Sequence, residues 1–223
     1  MNRKANLVNN YFIQIYLTII ALLQSVALGN LVPHLISYFT SSRNSFFNVH
    51  TPPLLLTLLI IFIVWHHYVY GIIYLRWFPN ILDAVIPFII SITQSFLIAF
   101  VEPQNTGDNM HQWIRSFAFF LFFGAGAYFA AALRHDAELF TNIMDRPSSE
   151  VHKQNIRNFY IRAGVSMLLQ FMFAVMILLF HWEDLIWLSL IFFLLHIAVS
   201  EHYHIRNIKP GFVKSVNDFR EAS

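Results

Sequence analysis

Two adjacent histidines, His66 and His67, stand within one apolar stretch of the chain, and a third, His196, stands within another. Imidazole is the side chain that gains and loses a proton near neutral pH, and it is the commonest protein ligand for transition metals. Such groups among Ile, Leu, Val and Phe point to proton relay, ion conduction or metal binding. Asp83 and Arg162 also fall at the edges of apolar stretches, where an ionisable group faces other protein or a water-filled cavity. Polar residues recur around them at helical spacing. One set is Asp83, Pro87, Ser91 and Gln94 or Ser95; a second is Arg162, Ser166 and Gln170; a third is Ser189, His196, Ser200 and His204; a fourth is Gln14, Thr18 and Ser25. Positions three or four apart share one helix face, so each set is expected to form a polar seam turned away from lipid. The candidate pathway residues are His66, His67, Asp83, Ser91, Gln94, Arg162, Gln170 and His196.

These groups need helices to position them. Hydrophobic residues make up 57% of the 223 residues, charged residues only 12%, and there are 24 Phe, against about 25% charged residues in a soluble domain. A helix crosses the hydrocarbon core with about 20 mostly apolar residues. Six such runs are present, at about 11–38, 53–75, 81–101, 113–133, 159–180 and 184–202. They are continuously apolar, with no two-residue alternation, which favours helices over an outer-membrane barrel. The expected class is an all-α polytopic membrane protein with six transmembrane helices. Residues 1–204 are expected to form the membrane domain and 205–223 a cytoplasmic tail.

Orientation follows from the Lys and Arg residues, because cytoplasmic loops retain them. With a cytoplasmic N-terminus and six spans, twelve of the fourteen lie on or near the inner side, all but Arg43 and Arg115. Both termini are therefore expected in the cytoplasm, and the protein in an inner or plasma membrane. The candidate path opens to the same side. Trp113, Trp182 and Trp187 are expected at the outer interface and Trp77 at the inner one, as members of aromatic belts. His34, His111, His135 and His181 are also placed at the interfaces, the last beginning a tight turn to Glu183. In the inner loop at 134–158, Ser148 or Ser149 is expected to cap a helix that continues into the fifth span. Gly126, Ala127, Ala130 and Ala131 give two interleaved small-xxx-small pairs, the pattern of close helix packing. Besides the bilayer, a homo-oligomeric partner is expected.

Several chemistries are excluded. With no cysteine there are no disulfides, Cys-ligated zinc sites or iron–sulfur clusters. The seven glycines form neither a dinucleotide fingerprint nor a phosphate loop, and a net charge of +2 gives no basis for a nucleic-acid partner. No two histidines in one span are fourteen apart, so the paired-haem pattern of six-helix b-type cytochromes fails. The favoured reading is a channel or transporter-like protein for an ion, proton or small solute, with no cofactor and no enzymatic activity. One alternative is a membrane anchor or sensor that binds a cytosolic protein through the 134–158 loop and the tail. Another is a membrane redox enzyme with haem or metal held by His67 and His196.

Overall fold

The structure, a computed structural model, describes residues 3–40, 50–75, 81–101, 108–133 and 146–208. Among these residues it is helical apart from a few turn positions, with no strand. Helix α1 runs Arg3–Thr40, α2 Thr51–Leu75, α3 Ile81–Ala99, α4 Asp108–Leu133, α5 Arg146–Phe180 and α6 Ile186–Tyr203. A single 3₁₀ turn, Glu183–Leu185, leads into α6, and a π-helical turn, His204–Ile208, follows it. Five of the helices are long and apolar enough to cross a membrane, and Val85–Ala99 within α3 is a shorter apolar segment. Large apolar side chains such as Leu22, Val26, Phe119, Leu169, Leu179 and Val199 are exposed. In a bilayer that surface meets hydrocarbon, where helix association depends on packing and hydrogen bonds and not on burial from water.

The chain divides into two compact units. The first comprises residues 1–120 and 172–190, where α1, α2 and α3 pack on one another. Residues Tyr16, Ile20, Gln24, Ala27, Leu31 and Tyr38 form the buried face of α1 at helical spacing. The Tyr38 hydroxyl lies 2.7 Å from Thr51 Oγ1, joining the end of α1 to the start of α2. Tyr16 and Tyr68 meet edge to face. The second unit comprises residues 121–171 and 191–223. There Gly124 of α4 lies against Met167 of α5, and Gly164 of α5 lies against the Phe129 ring. A Cβ at Gly164 would stand 3.0–3.2 Å from that ring, so the bare backbone is what permits the approach. Gly126, by contrast, has open space where a Cβ would project.

Within the first unit, two expectations about burial are corrected. Gln14, Thr18 and Ser25 were assigned to an inward seam of α1, but all three are exposed. The Thr18 hydroxyl donates to the Gln14 carbonyl at 2.8 Å and the Ser25 hydroxyl to the Ala21 carbonyl at 2.7 Å. A hydroxyl satisfied by its own helix can face lipid at little cost. Trp113, assigned to an interfacial belt, is fully buried. Its indole N–H donates to Thr57 Oγ1 at 3.1 Å, and its ring stacks on Phe117. A buried indole needs that acceptor, and Thr57 supplies it while its own hydroxyl donates to the Pro53 carbonyl. Trp182 does remain exposed, whereas Trp77 lies outside the described residues.

Candidate functional site

The buried side of α6 carries a run of polar groups, while Glu201 and His202 near its end lie outside that row. His196, Ser200 and His204 follow one another at intervals of four, and all three are buried, with His196 5% exposed. Four residues advance a helix by slightly more than one turn, so these groups lie one above another. Ser189 continues the buried side of α6 toward its start, and its hydroxyl has no hydrogen-bond partner among the described residues.

Aromatic rings surround the imidazole within the second unit. The His196 ring lies 6.1 Å from Phe193 and 6.3 Å from Tyr128, and Tyr128 in turn lies 6.1 Å from Tyr160. Helices α4, α5 and α6 thus each contribute a ring. Arg162, expected in an inward seam with Ser166 and Gln170, is instead exposed, and its guanidinium sits 5.0 Å over the Tyr203 ring, which stacks on Phe159. That geometry suits a cation–π contact. Asn155 donates to the Asn207 carbonyl at 3.3 Å, and Asn207 to the Tyr203 carbonyl at 3.1 Å. The first bond ties the π-helical turn to α5 and the second ties it to the end of α6. Gln170, also buried, donates to the Ser166 carbonyl, yet its Oε1 has no hydrogen-bond partner among the described residues. A buried acceptor without a donor costs roughly 1–3 kcal/mol unless water reaches it.

The other candidates occupy different surroundings. His66 and His67 are half-buried on α2, in the first unit, with ring centroids 5.7 Å apart. Ser91 is half-buried on α3 and its hydroxyl lacks a partner among the described residues. Pro87 is buried on the same helix, where it withholds the backbone N–H that would otherwise bond to the carbonyl of residue 83. Asp83 falls within α3, but its side chain lies outside the described residues. Gln94 is fully buried and its amide is engaged with Gln24. Ala127, Ala130 and Ala131 are half-buried on α4, while the close approaches to α5 belong to Gly124 and Gly164.

Sequence spacing missed Gln24, Tyr128 and Tyr160. Gln24 stands next to Ser25 but on the opposite, buried side, and its place in the run from Tyr16 to Leu31 was the available signal. The two tyrosines had none beyond an apolar neighbourhood. No protein family, curated protein or solved structure matches the chain. By class it is an all-helical protein whose long apolar helices suit a bilayer.

Proposed function

We propose that this is an integral membrane transport protein that conducts protons, alone or with a small solute, along a polar path within the second unit. The observation that supports this most is the row His196, Ser200 and His204, buried along a mostly apolar helix and the turn that follows it. Ionisable residues inside membrane helices are rare and mark ion pathways and proton relays. Imidazole suits the task because it takes and releases a proton near neutral pH. Tyr128 and Tyr160 extend the row with hydroxyl groups that both donate and accept. Gln170 adds an acceptor that a water chain would satisfy.

In this reading both termini face the cytoplasm of an inner or plasma membrane, because twelve of fourteen basic residues then lie on the inner side. Six helices cross, α3 included, and the protein acts as a homo-oligomer. The first unit serves as scaffold, its buried Gln24 and Gln94 amides being engaged with each other and its Trp113 indole with Thr57.

The test is reconstitution into liposomes holding a pH-sensitive dye, under an imposed proton gradient. Wild-type protein should dissipate the gradient faster than empty vesicles, and His196→Ala should remove at least nine-tenths of that rate. Gln14→Ala, on an exposed face, should leave it unchanged. Equal rates for wild type and His196→Ala, or no flux above empty vesicles with any imposed gradient, would refute the proposal.

A further inference from the structure

A second group of imidazoles gathers in the first unit. His111 lies in the first turn of α4, and His181 and Glu183 lie in the turn between α5 and α6. His111 Nε2 stands 3.0 Å from Glu183 Oε1, and His181 Nδ1 stands 3.9 Å from the same oxygen. The two imidazole rings meet edge to face at 5.1 Å. One ligand atom from each of the three residues fits within a span of 4.8 Å.

The backbone at His181 is unusual. Its φ is 55°, the one positive value at a non-glycine among the described residues. The Trp182 N–H reaches back to the Ile177 carbonyl at 3.1 Å, closing the C-terminus of α5 in a Schellman turn with His181 at its left-handed position. The following Trp182 ring stacks on Phe180, the last residue of α5. Glycine is the default at such a position, and a side chain there costs roughly 1–2 kcal/mol. Here the chain places an imidazole instead, next to a carboxylate that a second imidazole also approaches.

We propose that His111 Nε2, His181 Nδ1 and a Glu183 carboxylate oxygen bind one divalent transition metal of the zinc class, which clasps the α5–α6 turn to the start of α4. Two nitrogens and one carboxylate oxygen suit Zn(II) and its neighbours, whereas Ca(II) and Mg(II) call for oxygen ligands. Tetrahedral bonds of about 2.0–2.1 Å to zinc set ligand atoms roughly 3.4 Å apart, a value the 3.0 and 3.9 Å separations bracket. The two imidazole nitrogens lie within 4.8 Å of each other, and the largely exposed His181 ring has freedom to rotate toward a shared ion. Three protein ligands leave a fourth position for water. The carboxylate supplies one negative charge, which lowers the cost of placing a cation between two imidazoles.

The experiment uses the full-length protein in detergent, treated with chelator and then titrated with Zn(II) by calorimetry and thermal unfolding. Wild type should bind one zinc per chain at this site, and its unfolding temperature should rise with zinc concentration, as it does for any ligand that binds only the folded state. His181→Asn removes the imidazole but keeps a residue that tolerates the left-handed backbone. It should lower zinc affinity at least tenfold while unfolding at the wild-type temperature without metal. Glu183→Gln should do the same, and Mg(II) should not substitute. The proposal is overturned by an absence of saturable zinc binding, by wild-type affinity and stoichiometry in both variants, or by Mg(II) binding as tightly as Zn(II).

Discussion

Gln24 of α1 and Gln94 of α3 lie opposite each other with their amides inverted, each donating to the other's carbonyl at 3.1 and 3.0 Å. Both side chains are buried, Gln94 completely. Four polar atoms are thus accounted for pairwise, and the pair fixes the register of the two helices. Removing one partner strands the other in an apolar interior, at a cost of roughly 1–3 kcal/mol. Replacing both with a residue of similar size removes the demand. Gln94→Leu is therefore expected to lower thermal stability in detergent, and Gln24→Leu/Gln94→Leu to recover most of that loss. A double-mutant cycle measures the coupling, and simple additivity of the two single losses would contradict the clamp.

Trp113 and Thr57 form another buried link of the first unit, through one N–H···O bond of 3.1 Å. Trp113→Phe retains most of the ring and loses the donor. Since Thr57 also donates to the Pro53 carbonyl, it is not left without a partner, and the loss should be about 1 kcal/mol. Trp113→Ala removes the ring as well and should cost roughly 3–5 kcal/mol through lost packing. Equilibrium unfolding of the two variants separates the hydrogen bond from the volume.

The helices were largely legible in the sequence, whereas the faces they bury were not. The apolar runs at 53–75, 81–101 and 184–202 end within two residues of the boundaries of α2, α3 and α6. The other three helices begin earlier than their apolar runs, α5 at Arg146 instead of 159. A run of apolar residues marks where a chain is compatible with lipid, and a helix continues past it for as long as its backbone bonds do. The helix expected to lead from the inner loop into the fifth span is present, but it starts at Arg146, so Ser148 and Ser149 lie within its first turn and not at the cap position. Polar spacing identified the buried row on α6 because three of its members recur every four residues. It failed on α1, where Thr18 and Ser25 are satisfied by their own helix and the buried amide of Gln24 has its partner 70 residues away. Contacts at such separation depend on how helices pack, and no local period encodes them. The same holds for His111 and Glu183, whose meeting requires α4 and the α5–α6 turn to be in place.

The glycines of α4 and α5 should respond to alanine in a defined order. At Gly126 an added Cβ meets nothing, so Gly126→Ala should be neutral or stabilise by up to about 1 kcal/mol, because alanine favours a helix. At Gly124 it meets only the end of the Met167 side chain, which can swing aside. At Gly164 it meets the Phe129 ring at 3.0–3.2 Å, and an aromatic ring in a packed interface has less freedom. Gly164→Ala should therefore be the most destabilising, by roughly 1–3 kcal/mol. Unfolding temperatures ranked Gly126→Ala, Gly124→Ala, Gly164→Ala from highest to lowest check the packing; a Gly126→Ala loss as large as that of Gly164→Ala contradicts it.

His50, immediately before α2, gives a pH dependence of known sign. It lines a recess with Pro53, Phe100, Val101, Met110 and Trp113, and burial there holds its pKa below the ordinary 6.5. The folded state therefore prefers the neutral imidazole. Between the folded value and 6.5 the unfolded chain binds more protons, so stability rises with pH across that window. The contribution is fully present above about pH 6.5 and is lost as pH falls through the folded pKa. His50→Gln cannot titrate there. Unfolding free energy measured from pH 8 down to pH 4 should fall more steeply for wild type than for His50→Gln, with the divergence beginning near pH 6.5. Other histidines titrate in both proteins, so the difference between the two curves carries the result, and parallel curves would show that His50 remains in a water-like setting.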